Sequence, residues 1–128
     1  MQTREQKYAQ DVYNRVCAIT NDERMNRKKY GGMAHKLPIL IRTAGLAQAL
    51  TFVEARGDKS GSQCQLLRDL GATVGCSDKL AAKARSAELG EYMRLTQQVL
   101  DALLWYKRFA QSVLNVEPGE GEEDAHSD

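Results

Sequence analysis

An all-α fold, a single-domain bundle of about five to six helices with a long central C-terminal helix, is what this sequence predicts. Three observations carry the prediction. Ala, Leu, Gln, Arg and Lys are frequent while Val, Ile and Thr are sparse, a balance that favours helix over strand. Apolar residues recur at steps of three and four along most of the chain. The last long segment is apolar around most of its circumference, as expected of a helix packed by several neighbours. At 128 residues the chain suits one domain with a core of its own. Residues 1–116 are read as the bundle and residues 117–128 as an acidic, disordered tail rich in Gly and Glu.

The first helix is expected to begin near Thr3, where Thr3 and Gln6 have the spacing of a capping box. Tyr8, Val12, Val16 and Ile19 form its apolar stripe, and Asn21 and Asp22 are expected to end it. A basic connection with Arg24, Arg27, Lys28 and Lys29 follows, and then Tyr30-Gly31-Gly32, whose paired glycines permit a sharp turn. Met33, Ala34, Leu37, Leu40 and Ile41 have helical spacing with Pro38 among them, which predicts a fresh start at Leu37 or a kink. Gly45 separates this piece from a helix running from Leu46 to about Arg56, with Leu46, Ala49, Leu50 and Val53 inward. Residues 57–61 read as a surface loop. Its Lys-Ser pair lacks the glycine spacing of a phosphate-cradling loop. Ser62 is a candidate cap for a helix ending between Gly71 and Gly75, with Leu66, Leu67, Leu70 and Val74 inward. Ser77 and Asp78 open a short helix, Lys79 to Arg85. Ser86 is the candidate cap of the last helix, Ala87 to about Asn115. Its long seam is Tyr92, Thr96, Val99, Leu100, Leu103, Ala110, Val113 and Leu114, widened by Leu95, Ala102, Trp105 and Phe109. Only Arg94, Gln97, Asp101 and Arg108 form a polar strip.

The net charge of +1 conceals an asymmetry. Residues 117–128 hold six acids and no Lys or Arg, so residues 1–116 carry 18 bases against 11 acids, or +7. Such a basic body points to a nucleic-acid neighbour. Lys28, Lys29, Lys36 and Arg42 gather around the glycine pair and Pro38, while Arg94, Lys107 and Arg108 belong to the last helix. These seven are the candidate contacts to nucleic-acid phosphates or to partner proteins. Arg42 and Trp105 also have the character of interface anchors.

No arrangement points to catalysis. Cys17, Cys64 and Cys76 are scattered and His35 and His126 stand alone, so neither metal spacing nor a Cys–His pair is evident. The cysteines read as buried, reduced thiols of a cytoplasmic protein. Glu54, Asp69, Glu88 and Glu91 fall where caps and solvated faces place carboxylates. No cofactor or metal is expected. No apolar stretch approaches the ~20 residues that span a bilayer, and the first residues lack the apolar core of a signal peptide.

Two blocks then resemble one family. The first is Tyr30-Gly31, Lys36-Leu37-Pro38, Ile41-Arg42-Thr43, Gly45-Leu46, Gln48-Ala49-Leu50 and Phe52; the second is Tyr92-Met93-Arg94, Thr96, Leu103, Trp105 and Lys107-Arg108-Phe109-Ala110. The chain resembles, over roughly residues 4–115, the small alpha-helical subunit of the Cmr (type III-B) CRISPR RNA-guided effector complex. Ala44 stands where the family carries Asn, and Ala47 where it often carries Gly. The resemblance implies a non-catalytic bundle in a cytoplasmic ribonucleoprotein of antiviral defence. Copies of it stack into an inner filament, contact the large polymerase-like subunit and the backbone subunits, and help hold target RNA along the guide RNA. On that family's pattern Lys36, Arg42, Arg94, Lys107 and Arg108 become candidates for RNA or neighbour contacts. The alternative is a helical adaptor binding only protein partners, with Trp105, Arg42 and Tyr30 as its interface.

Overall fold

A computed structural model describes residues 1–56 and 61–120. Among the described residues the regular structure is helical: α1 (Arg4–Thr20), α2 (Arg27–Ala44), α3 (Leu46–Ala55), α4 (Ser62–Thr73), α5 (Leu80–Ser86) and α6 (Leu89–Ser112). The expected surface loop at 57–60 and the tail residues 121–128 lie outside the described residues.

Helix α1 begins as its sequence dictates. The Thr3 hydroxyl accepts from the Gln6 amide, and the Gln6 side chain accepts from the Thr3 amide. Tyr8, Val12, Val16 and Ile19 face inward, and Asn21 caps the far end.

The next stretch departs from the sequence reading in three ways. Asn26, not the glycine pair, starts the helix, its side chain accepting from the Lys29 amide. Gly31 and Gly32 are buried inside α2 and make no turn. The role of Gly31 is close approach: a Cβ there would sit 2.8 Å from the Cβ of Val116. Nor does the helix restart at Leu37, since α2 runs continuously through Pro38. A proline inside a helix costs roughly 3 kcal/mol. Burying Tyr30, Met33, Leu37 and Ile41 on the same helix, each contributing about 1.5–3 kcal/mol, outweighs it.

Gly45 alone joins α2 to α3. Its φ of 90° and ψ of 159° suit glycine and strain other residues. Helix α3 has no side-chain cap of its own. Instead the Tyr92 hydroxyl, from α6, accepts from the Ala47 amide at 3.0 Å. Leu46, Ala49, Leu50 and Val53 are its buried face, as expected.

Ser62 and Ser86 are not caps. Gly61, in the left-handed region, precedes α4, and the Ser62 hydroxyl accepts from the Asn26 amide at 2.7 Å. Ser86 bonds back to the Lys83 carbonyl, and Glu88 stands at the start of α6. Residues Ser77–Lys79 form a 3₁₀ turn before α5, so the short helix begins at Leu80. Helix α6 is the longest, and it packs on α1, α2 and α4. Its inward set adds Tyr106, absent from the expected seam, while Leu89, Met93 and Leu104 stay exposed. It ends at Ser112 rather than Asn115, because Asn115 takes a positive φ of 58° and turns the chain back. The returning chain buries Leu114 and Val116 against the bundle.

A polar network ties four helices together inside this core. The Tyr30 hydroxyl of α2 donates to Asp69 Oδ2 of α4 at 2.6 Å, and Gln65 donates to Asp69 Oδ1 at 2.8 Å. The Thr73 hydroxyl donates to Asp11 of α1 at 2.7 Å and lies 2.8 Å from the Tyr106 hydroxyl of α6. Asp69 is therefore not the solvated carboxylate its sequence position suggests. Burial lifts its carboxyl above the usual range, opposed by the Tyr30 and Gln65 hydrogen bonds and by Arg15. Burial also pushes the Tyr30 phenol well up.

Candidate nucleic-acid and partner interface

Helical geometry sorts the seven candidate cations into separate groups. Lys29 and Lys36 of α2 are seven residues apart, hence on one face and about 10 Å apart along the axis. Lys28 and Arg42 share a different face, with Arg42 in the last turn. On α6, Arg94 and Arg108 lie on one stripe about 21 Å long, and Lys107 points elsewhere. Arg42 and Arg94 are exposed and form no ion pair among the described residues. Arg108 lies over the Trp105 ring, 5.1 Å from its centroid, a cation–π contact that leaves the guanidinium exposed.

Lys29 and Lys36 meet a cation that sequence reasoning missed. They line one cleft with Arg56, the residue that ends α3. The half-buried Phe52 ring lies beneath two of them: Lys36 Nζ and Arg56 Cζ are each 5.3 Å from its centroid. The available signal was the four-residue step from Phe52 to Arg56, which stacks them on one helical face. Its partnership with α2 is a tertiary fact. Three cations gathered at one recess, which Gln63 and Glu120 also line, can attract phosphate without reading bases.

A second surface is aromatic. Trp105 stacks on Phe109 with centroids 5.8 Å apart, and Phe109 meets Tyr13 of α1 edge-on at 5.4 Å. Tyr13 and Leu104 are about half exposed. Beside them a groove of about 420 Å³ is lined by Arg4, Tyr8, Asp101, Leu104 and Trp105, with Arg4 paired to Asp101.

The residues considered for catalysis have other occupations. His35 is buried, and its Nε2 donates to the Val116 carbonyl at 2.8 Å; its Nδ1 has no hydrogen-bond partner among the described residues. His126 lies outside the described residues. The three cysteines are free and half-buried rather than fully buried. Glu54 pairs with Arg85 at 2.8 Å and Glu91 with Lys83 at 3.5 Å. Among the described residues no cluster of His, Cys, Asp or Glu could hold a metal ion, and no helix is long and apolar enough to cross a membrane.

Residues 4–113, nearly the whole helical body, match the family of CRISPR-associated proteins described as Cas_Cmr5. The chain belongs to the Cmr5 family. A relative named CRISPR system Cmr subunit Cmr5, from Thermus thermophilus, is 46% identical over 116 residues, taking in 89% of this chain and 98% of that protein. The crystal structure of a CRISPR-associated Cmr5 family protein from the same organism superposes with a TM-score of 0.81 at 45% identity, covering 89% of this chain and 99% of the other. The Cmr5 match thus ends just before the returning segment and the acidic end of the chain.

Proposed function

We propose that this chain is a non-catalytic small subunit of a type III-B (Cmr) CRISPR ribonucleoprotein effector complex. In this reading copies of it stack into an inner filament, contact the large polymerase-like and backbone subunits, and help hold target RNA along the guide. The observation that carries it is membership of the Cmr5 family across the helical body, with a relative named for the Cmr complex. The exposed cations give that membership a physical role. Arg42, Arg94 and Arg108 are on the surface, and Lys29, Lys36 and Arg56 share a cleft. Phosphate contacts of this kind are indifferent to sequence, as a guide-directed complex requires, because base pairing reads the target. The test is reconstitution with the partner subunits and guide RNA, followed by target-RNA retention at two salt concentrations. Charge reversal at Arg42 or Arg108 is expected to weaken retention and flatten its salt dependence. Unchanged affinity and slope would remove that residue from the RNA contacts.

The protein-only adaptor reading draws on the half-exposed aromatic set of Tyr13, Trp105 and Phe109. Interfaces are anchored by such side chains. Under that reading Trp105→Ala disrupts assembly, and the charge reversals leave RNA retention intact.

A further inference from the structure

We propose that the groove between α1 and α6 holds one base of a single-stranded RNA, stacked on Trp105, while Arg94 and Arg108 take phosphates on either side of it. The inference rests on the RNA-contact reading above and adds a base-holding site that exposed cations alone do not imply.

Helical spacing builds the site. On α6, Leu104, Trp105 and Arg108 follow Asp101 by three, four and seven residues, so the four share one face over successive turns. Arg94, seven residues before Asp101, extends the same face. On α1, Arg4 and Tyr8 are four residues apart and form the opposite wall. The groove measures about 420 Å³. That volume is ample for a base and falls within the roughly 300–1,000 Å³ of small-molecule sites.

The chemistry of the groove suits a base and not a phosphate. Trp105 supplies a broad aromatic surface and the half-exposed Leu104 an apolar one. Asp101, paired with Arg4 at 2.6 Å, presents a carboxylate that accepts from N–H groups and repels a phosphate. Tyr8 is nine-tenths buried, yet its hydroxyl has no hydrogen-bond partner among the described residues, and the Trp105 indole N–H has none either. These groups can meet the polar edge of a base. The cations stand outside the groove. Arg94 and Arg108 lie about 10 Å along the helix axis to either side of Asp101. Both are exposed and form no ion pair among the described residues. Arg108 rests 5.1 Å from the Trp105 ring centroid. An exposed cation–π contact is weak, whereas bidentate arginine–phosphate bonds are strong. The guanidinium therefore moves from ring to phosphate and uncovers the indole face for the base.

Trp105 is the only tryptophan of the chain, so its fluorescence reports on this groove. A short oligoadenylate is titrated against the full chain at low salt, beside an abasic ribose-phosphate oligomer of equal length. Oligoadenylate is expected to quench the emission, and the abasic oligomer to bind more weakly and without quenching. Affinities of the variants are read by polarisation of dye-labelled oligomers. Trp105→Ala should weaken oligoadenylate binding by about tenfold, with its salt slope and the affinity for the abasic oligomer unchanged. Trp105→Phe should restore most of the loss, which separates stacking from damage to the fold. Arg108→Gln should lower the salt slope by about 0.7 while quenching persists at saturation. Equal affinity for the two oligomers, or salt-dependent binding without quenching, overturns the inference and leaves the RNA-contact reading standing. If Trp105→Ala disrupts assembly with the partner subunits and leaves oligoadenylate affinity unchanged, the groove belongs to a protein and the inference is overturned. Binding of neither oligomer also overturns it, the wider reading being tested separately by target retention in the assembled complex.

Discussion

Gly31→Ala sets two well-known effects against each other, and the structure decides the winner. In a helix interior, alanine is better than glycine by about 1 kcal/mol. Gly31 is such a position in α2. A methyl group there, however, would stand 2.8 Å from the Val116 Cβ and 3.0 Å from both of its methyls. Ordinary carbon contacts are about 3.5–4.0 Å. Relief requires Val116 to leave, which forfeits about 1.5 kcal/mol of buried valine surface. It also forfeits two hydrogen bonds at about 1 kcal/mol each. The balance is a destabilisation of about 2–3 kcal/mol, or a fall in melting temperature on the order of 10 °C for a domain of this size. Thermal and urea unfolding followed by circular dichroism would measure it. The decisive comparison is the same substitution in a Val116→Gly background, where the obstacle is gone. There Gly31→Ala should become neutral or stabilising by up to about 1 kcal/mol. A stabilising Gly31→Ala in the otherwise unaltered chain would refute the close-approach account of the glycine.

Other expectations follow from individual contacts. Tyr92→Phe removes the hydroxyl that accepts from the Ala47 amide and should cost about 1 kcal/mol in urea unfolding. Asp69 holds its proton to higher pH in the folded chain than in the unfolded one. Its contribution to stability is therefore largest at acid pH and falls as pH rises from the usual carboxylate range through the lifted folded value. Comparing unfolding free energies across that range, Asp69→Asn should flatten this part of the profile while weakening the Tyr30–Gln65 network by about 1–2 kcal/mol. In reconstituted complexes, Arg108→Glu should reduce the slope of log affinity against log salt by about 0.7–0.9 for the lost phosphate contact. Trp105→Ala should spare that slope.

The fold was legible where the signal is local. The Thr3–Gln6 capping box and the apolar steps of α1 and α3 require only neighbours within one or two turns. What the sequence misleads on depends on distant partners. The Gly31-Gly32 pair resembles a turn because glycine pairs usually mark one, but the reason for Gly31 is Val116, 85 residues later. Pro38 resembles a break because the buried face that outweighs it cannot be counted in advance. Ser62 has the residue type of a cap, yet its hydroxyl serves the amide of Asn26, 36 positions earlier. Tyr106 and Asp69 look peripheral until their polar atoms meet across helices. The candidate interface divides the same way. The basic character of α2 and α6 is visible in the sequence, whereas the joining of Arg56 to Lys29 and Lys36 arises only when α3 packs against α2.

The most direct test of the central claim is affinity purification of the full chain from its native cells, with identification of the proteins and RNA it brings along. The account predicts recovery of the large polymerase-like subunit, the backbone subunits and a CRISPR guide RNA in stoichiometric amounts. Recovery of the chain with other proteins and no guide RNA, or of the chain alone under gentle conditions, would contradict it.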